Sequence, residues 1–330
     1  MAAAIATALI ERYHALIEDI AAFEQCAQTP LPPCLWVNTL KTNPAALINA
    51  LQTDPQFSGA KFHSIVDATP GATHVPELEP IAWYPNAFRL RSPPSVPTID
   101  APKSPFKPGL TLPFVTGWYY VQEEIAMAAV ATLAPQPGDH VLDLCAAPGG
   151  KTAQIALRVG QTGNVIANEA NRSRLPSLTA TINRLGLLNV ALTYQDGRST
   201  TFPAQSFDRV LVDAPCSGEG GRRDRLQRPT QWRPDHSQRM ASLQRQLLDQ
   251  ALELVKPGGV LVYSTCTFAP EENEAVLDAV VGDRAAFESA AIPGIIGQPG
   301  LTTWQGVAYR ADLRQTRRYW PQVNDTGGFF

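Results

Sequence analysis

The chain has 330 residues, of which 44% are hydrophobic and 17% are charged, and its formal net charge is −3. This composition excludes a largely disordered chain, because the apolar fraction is too high and the net charge too small. No stretch approaches the roughly 18 uncharged apolar residues of a membrane span, so we expect no membrane partner. Five cysteines without a C-x-x-C pair and five scattered histidines predict reduced thiols, a cytoplasmic location and no metal site.

The first part of the chain, residues 1–110, is predicted to be a small α+β module. Apolar residues recur at helical spacing from Ile5 to Phe23, residues 34–40 alternate like a strand, and a helix follows around residues 43–51. Seven prolines between residues 91 and 113 indicate a linker at the end of the module. The module carries no catalytic signature of its own.

The second part, residues 111–330, alternates between apolar strands and amphipathic helices. Strands are predicted at 140–144, 164–168, 190–194, 208–213 and 260–264, and helices at 152–159, up to about 185, and 238–255. Such alternation indicates an α/β domain with a doubly wound parallel sheet and helices on both faces. Ligands of these sheets bind at the carboxyl ends of the strands.

A loop of small residues follows the first of these strands and leads into a helix. Its residues are Cys145, Ala146, Ala147, Pro148, Gly149, Gly150 and Lys151. Small residues allow backbone amides at a helix N-terminus to approach a ligand closely. A phosphate-binding loop is disfavoured, because cysteine stands at position 145 where that loop requires glycine. The G-x-G-x-x-G dinucleotide motif is also missing from this loop.

Acidic residues stand at the ends of three successive strands: Asp143, Glu169 and Asp196. Each alone reads as an ordinary solvated loop residue. Together they suit an adenosine-bearing cofactor, with Glu169 accepting hydrogen bonds from the ribose hydroxyls and Asp196 meeting the adenine amino group. Because the loop lacks a phosphate-binding pattern, S-adenosylmethionine is the predicted cofactor.

The fourth and fifth strands are each followed by a cysteine, Cys216 after Asp213 and Cys266 after Ser264. A cysteine is usually a small buried hydrophobe, and that interpretation fits poorly for two thiols in polar loops at the functional edge of the sheet. A helix predicted to begin near Pro270 would favour a thiolate at Cys266, whereas the glutamates beside that proline oppose it.

The segments DLCAAPGGKT, DAPCSGEG and YSTCTFAPEENE together resemble the RNA 5-methylcytosine methyltransferases of the Nop/Sun (RsmB/RsmF) type, most closely the bacterial RsmF-like rRNA enzymes. The resemblance extends to residues 117–123 and 167–171 and, more weakly, to residues 37–41. It implies a Rossmann-like class I methyltransferase sheet preceded by an RRM-like RNA-binding module. The implied cofactor-binding residues are Cys145, Ala146, Ala147, Pro148, Gly149, Gly150, Lys151, Glu169, Asp196 and Asp213.

The resemblance also implies a covalent mechanism, in which the thiolate of Cys266 adds to carbon 6 of cytosine and makes carbon 5 reactive. Lys151, by the same resemblance, contacts the base from the cofactor loop. Asp213 can hydrogen-bond the exocyclic amine and N3 side of the base, and Cys216 is the candidate general base for the proton on carbon 5.

RNA is the expected partner, with rRNA favoured over tRNA, and the protein is expected to be a monomer. Seven arginines and two aspartates between residues 221 and 245 give that stretch a net charge of +5, so Arg222, Arg223 and Arg225 are candidates for phosphate contacts. Two alternatives are a methyltransferase acting on a small molecule or protein, and a non-catalytic RNA-binding assembly factor with the same fold.

Overall fold

The computed structural model describes residues 7–54, 77–91, 108–221, 223 and 234–330. The helices are α1 (Thr7–Tyr13), α2 (Ile20–Gln28), α3 (Pro44–Thr53), α4 (Leu112–Val115), α5 (Ala128–Leu133), α6 (Gly150–Val159), α7 (Leu175–Leu185), α8 (Pro234–Leu254), α9 (Glu274–Val280) and α10 (Pro321–Asn324). The strands are β1 (Cys34–Val37), β2 (Glu77–Pro80), β3 (Ala87–Arg91), β4 (Tyr119–Gln122), β5 (His140–Asp143), β6 (Asn164–Asn168), β7 (Val190–Thr193), β8 (Phe207–Asp213), β9 (Val255–Ser264), β10 (Gln298–Pro299), β11 (Thr303–Trp304), β12 (Val307–Ala308) and β13 (Arg317–Arg318).

The central sheet contains five parallel strands in the order β7-β6-β5-β8-β9. This confirms the predicted doubly wound α/β fold. The strand order reverses between β5 and β8, and ligands of such sheets bind in the crevice at the carboxyl ends of the strands beside this point. The last strand begins at Val255 rather than at residue 260, with an irregularity in its pairing to β8 where Gly258 adopts a φ of +76°.

Helices cover both faces of the central sheet, and the inner strands β5 and β8 are accordingly mostly buried. Along β8, Val210 and Val212 pack with residues of α8 and α9, whereas Leu211 between them packs with residues of α5, α6 and α7. This alternation follows from the period of two in a strand. Burial on both faces explains why the predicted strands are continuous apolar runs.

A second, antiparallel sheet has the order β2-β3-β1-β4, and its strand β1 is buried on both faces. Leu47 and Leu51 of α3 pack on one face. On the other face Trp36 is 2% exposed, stacks on Tyr120 with ring centroids 5.4 Å apart, and joins the main core cluster. In an RRM the sheet face opposite the helices stacks RNA bases. Here that face is occupied by the protein core, so RNA binding by this module would have to use its loops or edges.

The predicted helical stretch from Ile5 to Phe23 is two helices within the described residues, because residues 14–19 separate α1 from α2. Asp19 caps α2 by accepting a hydrogen bond from the Ala22 amide at 2.9 Å. Both helices pack against residues far along the chain, with Tyr13 and Phe23 in one cluster with Phe268, Trp304 and Trp320. Strand β4, which follows residue 110 in the chain, pairs with β1, which precedes it. The division of the chain at residue 110 stays a prediction.

The proline-rich linker predicted at residues 91–113 lies largely outside the described residues. Its described end forms a short 3-10 helix at Pro108–Leu110 and the start of α4, which Thr111 caps by accepting a hydrogen bond from the Phe114 amide. Among the described residues, no helix is long and apolar enough to cross a bilayer, and no group of acidic, histidine or cysteine side chains is placed to hold a metal ion.

Candidate active site

The loop between β5 and α6 lies at the carboxyl end of β5, beside the point where the strand order reverses. Its backbone is packed closely: a Cβ at Gly149 would lie 2.9 Å from Leu178, and one at Gly150 would lie 2.8 Å from the Tyr120 ring. Gly149 also has a φ of +105°, which favours glycine. Within the loop, Ala146, Ala147, Gly149 and Gly150 are buried, Cys145 is half-buried and Pro148 is exposed.

Asp143 ends β5 directly beneath this loop and is 1% exposed. Its Oδ2 accepts a hydrogen bond from the Thr152 hydroxyl at 2.6 Å, while Oδ1 is buried without a hydrogen-bond partner. Burial raises the pKa of this carboxyl group to about 7, although the hydrogen bond from Thr152 opposes the rise. A buried acceptor without a partner is unfavourable in the protein alone, and a ligand with a donor group could satisfy it.

Glu169 follows β6 and is 4% exposed. Its carboxylate accepts hydrogen bonds from the Asn171 amide at 2.8 Å and the Ala147 amide at 3.3 Å, and its Oε2 lies 3.4 Å from the Arg174 guanidinium. The contact with Ala147 joins Glu169 to the loop after β5. The structure therefore brings Glu169 and the predicted cofactor loop together.

Asp196, the third strand-end acid, is in a different environment. Its side chain is 44% exposed and pairs with Arg198 at 2.6 Å, and the hydrogen bonds from Arg198 lower its pKa to about 2. This carboxylate is engaged at the surface, so the predicted contact with adenine would require it to exchange Arg198 for the ligand. That contact stays a prediction.

The two thiols predicted at the strand ends lie side by side. The Sγ atoms of Cys216 and Cys266 are 3.3 Å apart, and none of the five cysteines forms a disulfide. The hydrogen bond to Cys266 and burial raise the pKa of Cys216 well above that of an ordinary thiol, and the nearby Glu272 carboxylate raises it further. Cys216 is therefore held in its protonated form beside Cys266.

Asp213 and Lys151 form an ion pair next to the thiols. The Lys151 ammonium donates to Asp213 Oδ2 at 2.6 Å, and the Ser264 hydroxyl donates to Oδ1 at 2.8 Å. Burial alone would lower the pKa of Lys151, but the charges of Asp213 and then Cys266 raise it above its ordinary value. The four residues predicted to be catalytic are thus brought together, with a positive charge close to Cys266.

Comparison with known proteins agrees with this arrangement. A family model described as 16S rRNA methyltransferase RsmB/F matches residues 130–330. The chain is 35% identical over 324 residues to the tRNA (cytosine(49)-C(5))-methyltransferase of Pyrococcus abyssi, which covers 98% of this chain and 93% of that protein. The chain belongs to the RsmB/F methyltransferase family.

Other RsmB/F relatives are longer than this chain. Ribosomal RNA small subunit methyltransferase F of Klebsiella pneumoniae is 36% identical over 93% of this chain and 58% of its own length. The mouse 28S rRNA (cytosine-C(5))-methyltransferase is 40% identical over 67% of this chain and 28% of its own length. A crystal structure of a methyltransferase homologue from Pyrococcus horikoshii superposes with a TM-score of 0.75 at 30% identity and covers 98% of this chain and 92% of that one.

Two residues of this RsmB/F family member that support the site were missed by sequence reasoning. Asn168 is fully buried, and its amide nitrogen donates to the carbonyl oxygens of Leu144 and Gln195, joining the loops after β5 and β7. Glu272 is fully buried beneath the Cys216 loop and accepts hydrogen bonds from the Ser217 amide and Gln244. Both lie in segments that carry the family resemblance, but sequence reasoning gave neither a role, and only the tertiary structure shows these contacts.

Two expectations about this RsmB/F family member were wrong. The helix after Cys266 begins at Glu274 and not near Pro270, so its N-terminus does not immediately follow the thiol. Arg223 is 2% exposed and donates hydrogen bonds to Asp325, Thr29 and the Thr326 carbonyl oxygen. A buried guanidinium with protein partners is not available for phosphate. Arg222 and Arg225 lie outside the described residues.

Proposed function

We propose that this protein transfers a methyl group from S-adenosylmethionine to carbon 5 of a cytosine in RNA. The observation that carries the proposal is the pair of thiols, Cys216 and Cys266, with Sγ atoms 3.3 Å apart beside the Asp213–Lys151 ion pair. A methyltransferase acting on a nucleophilic small molecule or protein needs no thiol, and a non-catalytic RNA-binding factor needs neither of the two thiols. Cytosine carbon 5 is a poor nucleophile and needs covalent activation.

The residues at the switch point fit S-adenosylmethionine. Asp143 offers a buried acceptor without a partner, Glu169 a carboxylate fixed by backbone amides, and the loop of residues 145–151 a close-packed backbone at a helix N-terminus. Lys151, the one cation of that loop, is already paired with Asp213, which suits a cofactor without phosphates. With Asp196 and Asp213 these residues form the proposed cofactor site. When bound, the cofactor supplies an electrophilic methyl group.

Cys266 is the proposed nucleophile. The Lys151 ammonium near this sulfur favours its thiolate, which adds to carbon 6 of the base and leaves carbon 5 enamine-like. In this proposal, Asp213 and Lys151 hydrogen-bond the base and accommodate the charge that develops on its ring during addition. The base has to be unstacked to reach the thiols. Unstacking costs a free energy of about a few kcal/mol, which is smallest for a single-stranded nucleotide.

Cys216 is the proposed general base for the later step. The largest cause of its raised pKa is the hydrogen bond to Cys266. Once the Cys266 sulfur is bonded to carbon, this sulfur carries no charge, so Cys216 can lose its proton to solvent and become the base. It then takes the proton from carbon 5, the electron pair reforms the ring double bond, and the bond between Cys266 and carbon 6 breaks.

The RNA class is proposed from the relatives. The names of the mouse and Klebsiella relatives specify rRNA, in agreement with the sequence prediction, whereas the P. abyssi relative that matches over 93% of its own length is named for tRNA. We propose rRNA as the substrate and tRNA as the alternative. A cytoplasmic location and a monomeric state remain predictions.

The proposal is tested by separating the two thiols. We expect purified protein to transfer labelled methyl groups from S-adenosylmethionine to RNA, with 5-methylcytosine as the product. Cys266→Ala should bind the cofactor but form no adduct and no product. Cys216→Ala should attack the base and stall before elimination, leaving a protein–RNA complex that survives a denaturing gel. An adduct trapped by Cys266→Ala instead would reverse the two roles, and normal methylation by both variants would exclude the covalent mechanism.

A further inference from the structure

Glu219, three residues after Cys216, is a buried carboxylate that contacts two other parts of the chain. It is 7% exposed. Its Oε2 accepts hydrogen bonds from the Thr267 hydroxyl at 3.0 Å and the Phe268 amide at 3.2 Å, the two residues that follow Cys266. The Tyr13 hydroxyl of α1 donates to the same oxygen at 2.9 Å. One carboxylate thus joins both thiol-bearing loops and the first helix.

Further hydrogen bonds join the same two loops on either side of Glu219. The Ser217 and Thr267 hydroxyl oxygens are 2.7 Å apart, and the Gly220 amide donates to the Cys266 carbonyl oxygen at 2.9 Å. The Thr267 hydroxyl has a single proton. Since that proton goes to Glu219, the Ser217 hydroxyl must donate to Thr267. Glu219 therefore fixes the direction of this short chain of hydrogen bonds.

Tyr13 makes the contact with α1 specific. Its side chain is fully buried between Phe268 and Trp304, and burial together with the charge of Glu219 raises its pKa, so the hydroxyl remains a donor. Helix α1 therefore supplies a buried hydrogen-bond donor to Glu219. The packing of α1 is in this way connected to the relative position of the two loops.

We propose that Glu219 is a positioning residue that sets the separation of the Cys216 and Cys266 sulfur atoms. The proposal rests on the proposed function, in which both sulfurs must reach one cytosine, at carbon 6 and at the proton on carbon 5. Reacting groups displaced by about 1 Å can lose about two orders of magnitude in rate. A glutamine at position 219 keeps the shape of the side chain but removes its negative charge, which weakens the hydrogen bonds from Tyr13, Thr267 and Phe268, so we expect the loops to separate.

The test measures the separation of the sulfurs without RNA or cofactor. Diamide oxidises two neighbouring thiols to a disulfide, and the two hydrogen atoms removed convert the diamide to a hydrazine. The Cys216–Cys266 disulfide is quantified by mass spectrometry of the linked peptides, with Cys216→Ala as the blank. Glu124→Gln is the matched control, because Glu124 is 3% exposed and pairs with Arg89 away from both loops.

We expect Glu219→Gln to slow disulfide formation about tenfold and to slow methyl transfer with it, while Glu124→Gln stays close to the wild-type rate. A folded Glu219→Gln protein that cross-links as fast as wild type overturns the proposal, as does an equal slowing in Glu124→Gln. If Glu219→Gln does not fold, Tyr13→Phe removes one donor and keeps the ring. This variant should slow cross-linking about threefold, and a wild-type rate in it likewise overturns the proposal. Absence of methyl transfer in wild type would count against the proposed function and leave the cross-linking comparison intact.

Discussion

The buried carboxyl group of Asp143 connects the cofactor loop to the pH dependence of stability. Its pKa is about 7 in the folded protein and about 4 in an unfolded chain. Below pH 4 the group is protonated in both states. Between pH 4 and 7 only the unfolded state releases the proton, so the folded protein loses stability as the pH rises. Above pH 7 the loss is complete and amounts to up to about 4 kcal/mol.

We therefore expect Asp143→Asn to become progressively more stable relative to wild type between pH 4 and 7. Urea unfolding of the cofactor-free proteins at a series of pH values measures the difference. Asp196→Asn is the control, because the Asp196 carboxyl is exposed and its pKa is lowered to about 2, so its contribution to stability is constant across this window and changes only below about pH 4. Parallel curves for wild type and Asp143→Asn would mean that the buried carboxyl is ionised throughout.

Glu169 and Asp196 are both predicted to bind the cofactor, and their surroundings distinguish them. Glu169→Ala should weaken the binding of S-adenosylmethionine by about 1–3 kcal/mol, because it removes a buried acceptor. Asp196→Ala should have a smaller effect, because Arg198 already occupies that exposed carboxylate. Isothermal titration calorimetry on the two variants makes the comparison. Equal losses of affinity in the two variants would support the predicted contact between Asp196 and adenine. Wild-type affinity in Glu169→Ala would show that Glu169 does not bind the cofactor.

The positions of individual residues could be predicted from the sequence where a residue lies at or just after the end of a strand of the central sheet. Asp213, Cys216 and Cys266 stand at known offsets from strand ends, so the fold brings them together once the strands are recognised. Sequence reasoning failed for Arg223 and gave Glu219 no role, because their partners Thr326 and Tyr13 do not lie at strand ends, which are the positions that the strand pattern locates. Arg223 bonds to Thr326, and Glu219 to Tyr13. An Arg-rich stretch has the same composition whether its guanidinium groups face solvent or the core.

Among the elements, the two loops after β8 and β9 are held by the backbone of residues 327–330. The Gly328 amide donates to the Gly220 carbonyl oxygen at 2.8 Å, and Phe330 pairs with Thr265 through two backbone hydrogen bonds. A Cβ at Gly220 would lie 2.7 Å from the Gly328 Cα. Backbone cannot move aside as a flexible side chain can, so this contact requires glycine.

We expect Gly220→Ala to destabilise the protein by about 1–3 kcal/mol and to slow methyl transfer, because the loop bearing Cys216 has to move. Gly109→Ala is the control, since an added Cβ there meets only Phe114 at 3.9 Å. Thermal unfolding and methyl transfer are measured on both variants. A Gly220→Ala protein with wild-type stability and rate would show that the loop moves without consequence for the site.

The elements themselves were predictable to different degrees. All five strands of the central sheet were predicted from their apolar runs, and in β5 and β8 these runs follow from burial on both faces. The break between α1 and α2 was not predicted, since apolar spacing continues across residues 14–19 while Asp19 caps a new helix. The burial of both faces of β1 in the antiparallel sheet was not predicted either, because it depends on which partner packs against Trp36.

In the molecule as a whole, we expect Arg223 to contribute to the stability of the fold and not to RNA binding, because its guanidinium group is buried. Arg223→Ala should lower the free energy of unfolding by about 1–3 kcal/mol and leave the salt dependence of RNA affinity unchanged. The double variant Arg222→Ala/Arg225→Ala, at the positions still predicted to contact phosphate, should give a shallower dependence, because each lost phosphate contact reduces the slope by about one. Fluorescence anisotropy with labelled RNA at several salt concentrations measures the slopes. A flattened slope in Arg223→Ala would mean that this side chain leaves the core when RNA binds.

The contacts of residues 327–330 with the two thiol-bearing loops also determine when, during synthesis, the site can form. A nascent polypeptide extended to Phe268 already contains Cys216 and Cys266, yet residues 327–330, the backbone partners of Gly220 and Thr265, have not been synthesised. Contacts between distant parts of a chain close slowly, because the entropy lost in closing the intervening loop precedes any gain in enthalpy. The capacity for methyl transfer should therefore arise only after residues 327–330 have been synthesised and have closed on the two loops, so a ribosome-bound fragment that ends before them should be inactive.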